Sequence, residues 1–135
     1  MFHPSPFLRR VLIVDALASG ATALLLIVAA DLLHSLLAVP GTLSRAAGLL
    51  LVPYVAVVAI LALRARFPAI AVWAVIAANL LWTAASALVL ASGAIAPNLL
   101  GYAVVLAQAI VVGVLGALQY VAMRAQPAAP GRTAS

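Results

Sequence analysis

Asp15 lies inside an apolar run, and the residues at helical spacing from it are hydroxyls. Positions 15, 19 and 22 share one helix face, so Asp15, Ser19 and Thr22 make a polar stripe. Asn79, Thr83 and Ser86 repeat that spacing in a later apolar run. A carboxylate at the centre of a membrane-crossing helix costs about 2.5–3.5 kcal/mol on insertion scales. It must therefore be paired, hydrated or protonated. The chemistry open to it is the binding of a proton or a cation. The structural alternative is an ion pair with Arg64 or Arg66, or a hydrogen bond to Asn79. Asp15 is five positions past Arg10, where arginine and water both approach, and this weighs toward the structural role.

Other polar residues extend the list. Asn79 is deep enough in its run to hydrogen-bond across helices, worth about 0.6–2 kcal/mol. Gln108 and Gln119 are three helical turns apart and share a face. They line a polar path with Asp15 or bond to neighbouring helices, and the second is the default. Ala109, Gly113 and Ala117, widened by Gly116, form a small-residue ladder that lets another helix approach, inside the chain or from a partner. Asp31 and His34 could begin a metal site, but no third ligand is near in sequence, so they read as a solvated helix end. Trp73, Tyr102 and Tyr120 fall near run ends and suit interfacial anchoring. Trp82, beside the second stripe, is a pocket wall or plain packing. No Ser/His/Asp set, phosphate-binding glycine loop or HExxH pattern occurs, so no enzyme and no cofactor is expected.

The elements that must position these residues follow from composition. Of 135 residues, 68% are hydrophobic and 7% charged; the mean hydropathy is +1.31. A soluble domain carries about a quarter charged residues, so lipid is the solvent that fits. Four apolar runs, approximately 11–30, 46–63, 69–90 and 99–123, each approach the length of a span. The first is longer than a signal-peptide core and reads as a span. Pro53 interrupts the second and tends to kink it. Pro40 and Gly41 mark a loop within 31–44; 64–68 and 92–98 read as tight turns. The tail 124–135 reads as disordered. The fold class expected is all-α, a membrane four-helix bundle occupying 1–123.

Orientation follows from arginine, since the chain has no lysine. Arg9, Arg10, Arg64, Arg66, Arg124 and Arg132 fall on one side and Arg45 on the other, which puts the first set, and both termini, in the cytoplasm. The net charge of +5 is accounted for by this placement, so no nucleic-acid partner is expected. With no cysteine, disulfides and thiolate metal sites are excluded. Alanine- and arginine-rich usage suits a bacterial inner membrane.

An internal repeat is also visible. Asp15, Ser19 and Thr22 align with Asn79, Thr83 and Ser86 at constant offset. Pro40, Leu43, Ala46 and Leu49 align more loosely with Pro97, Leu100, Ala103 and Leu106. The expectation is two tandem helical hairpins whose polar stripes face each other inside the bundle.

In size, four-span plan and the acid at Asp15, the chain resembles the small multidrug-resistance transporters, which carry a membrane-embedded acid in the first helix. Those proteins have a glutamate there within a surrounding pattern that this chain lacks, so the resemblance covers architecture and one residue. Two functions are expected. The first is a non-enzymatic accessory or assembly subunit that packs through the fourth span against another membrane protein or a second copy. The alternative is an oligomeric proton- or cation-coupled transporter or channel using Asp15.

Overall fold

The computed structural model describes residues 3–125. Five helices follow in order: α1 (Pro6–Val28), α2 (Ala30–Leu37), α3 (Gly41–Leu63), α4 (Ala69–Ser92) and α5 (Leu99–Arg124). All but α2 are long and apolar enough to cross a membrane. The chain is a multi-pass, all-α four-helix bundle. Its outward faces carry exposed leucines such as Leu17, Leu63 and Leu81, which only lipid solvates without penalty.

Helix ends are set by caps, and these shift the boundaries read from hydropathy. The Ser5 side chain accepts from the Leu8 amide at 3.1 Å and Pro6 opens the helix, so α1 starts five residues before its apolar run. The Asn98 side chain accepts from the Gly101 amide at 2.8 Å and starts α5. Pro40 and Pro68 precede α3 and α4. Pro53 sits on an exposed face of α3, which stays helical through it. The helix α5 runs to Arg124, so the expected tail begins one residue later, and its remainder from 126 lies outside the described residues.

The segment after α1 differs most from expectation. Residues 31–37, read as loop, belong to α2. Ala30 and Leu37 are buried on one side of it while Asp31 and His34 face outward. This one-sided pattern is too short to register as a span. It ends at Ala38, a left-handed residue with φ 56°, whose amide returns to the His34 carbonyl; His34 Nδ1 lies 3.1 Å from the Val39 carbonyl. Asp31 pairs with Arg45 at 2.7 Å, so these residues are a helix end held by surface contacts.

Packing is uneven along the bundle. The principal partners are α1 with α3 and α4 with α5, with α1 against α5 as the third seam. This agrees with two hairpins, although α2 has no counterpart in the second. At the end carrying Arg9 and Arg64, all four long helices contribute to one core around Leu8, Leu12, Val58, Phe67, Val72 and Ala122. There Arg9 donates to the carbonyls of Ala62 and Arg64 and closes the C-terminus of α3. Trp73 and Tyr120 meet edge to face near this end at 5.8 Å. The helices α3 and α4 scarcely touch; the opposite end of the bundle carries α2. There α2 bridges the bundle: Asn98 donates to the Leu37 carbonyl at 3.1 Å and to the Leu36 carbonyl at 2.8 Å.

Candidate functional site

The apolar core ends at a buried polar cluster. Asp15, Asn79 and Gln119 are 1%, 4% and 0% exposed. They come from α1, α4 and α5, and Tyr54 of α3 completes the set. Lipid offers no hydrogen bonds, so each of these side chains turns inward.

The donors converge on one carboxylate. Ser19 donates to Asp15 Oδ1 at 2.8 Å. Gln119 Nε2 donates to Oδ2 at 2.6 Å, and Asn79 Nδ2 lies 3.3 Å from the same oxygen. The Tyr54 hydroxyl is 2.6 Å from Oδ2 and 2.7 Å from Asn79 Oδ1. It has one proton and so donates to one of them at a time. Asn79 Nδ2 also donates to Gln119 Oε1 at 2.8 Å, which fixes both amides. Among the described residues no arginine reaches Asp15, and Arg9 is occupied by backbone carbonyls. Of the partners expected for Asp15, the structure supplies Asn79 and not Arg64 or Arg66. The reason is depth: Arg64 and Arg66 follow the last turn of α3, while Asp15 sits well inside α1.

A second polar group lies farther along. Trp82 Nε1 donates to Gln108 Oε1 at 2.8 Å, and Gln108 Nε2 donates to Ser86 Oγ at 3.1 Å. Trp82 is therefore both wall and donor. Between the two groups is a cavity of about 300 Å3, lined by Ser19, Thr22, Tyr54, Asn79, Trp82, Gln108 and aliphatic side chains. Asp15 stands behind Ser19, Tyr54 and Asn79. A second cavity of about 390 Å3 continues toward α2, and Thr22, Leu50, Trp82 and Gln108 belong to both walls.

The two polar stripes meet only at their first rung, where Asp15 faces Asn79. Thr22 bonds back to the Ala18 carbonyl. Thr83 bonds to the carbonyls of Asn79 and Ala109, and Ser86 to that of Trp82. The cavity keeps the remaining rungs apart. Gln108 and Gln119, though on one face, serve the two separate groups. The small-residue ladder is spent largely within the chain: a Cβ at Gly116 would meet Asn79 Cβ at 3.1 Å, and one at Gly113 would meet Thr83 at 3.5 Å. Ala109 is buried, and Ala117 is the member that faces outward. Tyr54 is the site residue that sequence reasoning does not select, whereas Gln119, read as lining a polar path with Asp15 or bonding a neighbouring helix, bonds Asp15 directly. A signal existed for Tyr54: a tyrosine far from either span end must find a partner for its hydroxyl.

Among the described residues, no three of His, Cys, Asp and Glu converge to hold a metal. The fold and site define a small multi-pass bundle whose acid, among the described residues, is held by neutral donors beside a cavity. No protein-family model, curated protein or solved structure matches the chain.

Proposed function

We propose that the protein is a small transporter or channel that exchanges a proton or a small cation at Asp15, acting as an oligomer in a bacterial inner membrane with both termini cytoplasmic. One observation carries this reading. Among the described residues, a buried carboxylate has four neutral partners and no arginine, and three of those partners form the wall of a cavity. A carboxylate kept purely for packing would be replaced by an amide at lower cost, so an intramembrane acid is by default a functional group.

The geometry serves both protonation states. When Asp15 is ionised, Tyr54 donates to Oδ2. When Oδ2 carries a proton, it donates to the Tyr54 oxygen, and the Tyr54 proton turns to Asn79 Oδ1 at 2.7 Å. The heavy atoms stay in place; rotation of the Tyr54 hydroxyl interchanges the hydrogen bonds of the two states, and the proton itself is taken from or given to the cavity beyond Ser19, Tyr54 and Asn79. The orientation rests on the six-to-one arginine bias. A second copy is invoked because four helices with one open seam do not enclose a path alone.

The test is reconstitution in liposomes with a pH gradient, comparing wild type with Asp15→Asn. Wild type should carry protons or a monovalent cation, and the variant should not. Equal flux, or none in either, refutes the reading. The accessory-subunit role loses its motive where the ladder faces α4. It regains ground if mild-detergent purification always brings down one other membrane protein and no flux is found.

A further inference from the structure

The wall of the outer cavity holds a group the Asp15 site does not explain. Ser44 is 2% exposed, its Oγ has no hydrogen-bond partner, and it lines the 390 Å3 cavity. Three other helical hydroxyls behave differently. Thr22, Thr83 and Ser86 return their protons to carbonyls one turn back. The carbonyl one turn back from Ser44, that of Pro40, accepts from the Ser44 amide at 3.1 Å. A buried hydroxyl without a partner is unfavourable, and such groups in native folds call for an explanation.

The surroundings restrict what could supply the missing bond. Among the described residues no Asp, Arg or His lines this cavity; its wall is aliphatic except for Thr22, Ser44, Ser86, Trp82 and Gln108. A phosphate or ammonium would be desolvated there with nothing to pair it. Water alone suits a polar niche better than a wall built mainly of Leu, Val and Ala. The helices α3 and α4 flank the cavity and scarcely touch, so the seam between them faces the lipid.

We propose that the outer cavity binds an uncharged, lipid-soluble amphipath. Its body is aliphatic or isoprenoid, and its single hydroxyl or carbonyl hydrogen-bonds Ser44 Oγ. The chain lies along the α3/α4 seam toward Trp82. The molecule enters sideways from the bilayer, and its polar group sits at the α2 end of α3, the level at which a lipid's own polar part lies. Ser44 sets the choice of polar group, and the uncharged wall rejects acids and amines. This site adjoins the cavity beside Asp15 and shares Thr22, Leu50, Trp82 and Gln108 with it, but it takes no bond from Asp15 and does not depend on proton exchange there.

The experiment uses the full chain in lipid nanodiscs and a long-chain primary alcohol carrying a photoreactive diazirine. Labelling should map to inner-wall residues such as Ala85, Val89 and Val105, and should saturate. The unlabelled alcohol should compete, whereas the trimethylammonium and carboxylate amphiphiles of equal chain length should not. Ser44→Ala should weaken competition by about five- to tenfold, the loss of one hydrogen bond. It should not lower thermal stability without ligand, because the hydroxyl it removes has no partner. Asp15→Asn should leave labelling unchanged, which separates this proposal from the flux reading. Labelling confined to outward residues such as Leu49 and Leu81, competition by the charged amphiphiles, or equal affinity in Ser44→Ala would overturn it.

Discussion

Gln119 Nε2 donates to Asp15 Oδ2 at 2.6 Å although 104 positions separate the two residues. The contact ties the last helix to the first at the point where the packed core gives way to the cavity. Gln119 is held in turn by the Asn79 amide, so three helices share one network. With Asp15 ionised this bond is charge-assisted, and such bonds are roughly twice as strong as neutral ones; the pair joins the first helix to the last.

Gln119→Leu should therefore lower stability by about 1.5–3 kcal/mol, the range for a bond to a charged group. Gln108→Leu, which breaks bonds among neutral groups, should cost about 0.5–1.5 kcal/mol. Thermal or denaturant unfolding in a fixed detergent compares them. Equal losses would mean that Asp15 is not the dominant acceptor.

Tyr54→Phe keeps the ring and removes the shared proton. Stability should fall by about 1.5–3 kcal/mol with Asp15 ionised, as for Gln119→Leu, while proton exchange should fall by about a hundredfold, because Asp15 loses the hydroxyl that shares its proton. Flux in liposomes, set beside the unfolding midpoint, separates the two effects. A variant that transports normally would remove Tyr54 from the mechanism.

The glycines of the ladder and seams should divide by contact. A Cβ at Gly48 would lie 2.7 Å from Ile27 Cγ1 and 3.1 Å from the Ala23 carbonyl; one at Gly101 would press on the Leu37 carbonyl. Gly48→Ala and Gly101→Ala should each cost about 1–3 kcal/mol through overpacking. Gly113→Ala meets nothing closer than 3.5 Å, so it should be neutral or stabilising by up to about 1 kcal/mol through helix propensity. Comparative melting of the three variants decides this.

Arg45 and Asp31 form an ion pair whose side chains are 47% and 91% exposed. Arg45→Ala should change stability by less than about 1 kcal/mol, and the difference should shrink in high salt. Flux should be unaffected, since the pair lies on the α2 end of the bundle away from Asp15. A large loss in either assay would give the pair a role beyond the surface.

Much of this bundle was legible in the residues themselves. Four apolar runs in a chain almost without charge admit only membrane-crossing helices, because lipid leaves no other way to satisfy the backbone. The inward turn of Asp15 and Asn79 follows from the same constraint, and so does their meeting, once the two hairpins are aligned. Capping by Ser5 and Asn98 was also written locally, although hydropathy does not register it. The short helix α2 escaped because one buried stripe over eight residues does not stand out from the apolar runs beside it.

What only the tertiary structure decided is which polar groups meet. Hydropathy reports how far a helix lies from water, but not its rotation or its axial offset against neighbours. Those depend on side-chain interlock, such as Gly116 on Asn79 and Gly48 on Ile27. A rotation of α3 by a fraction of a turn would carry Tyr54 away from Asp15, and a shift of α5 by one turn would part Gln119 from it. The cavity beside them and the unpaired hydroxyl of Ser44 are likewise properties of the gap between hairpins. No single segment contains that gap, because it exists only where α3 and α4 fail to pack.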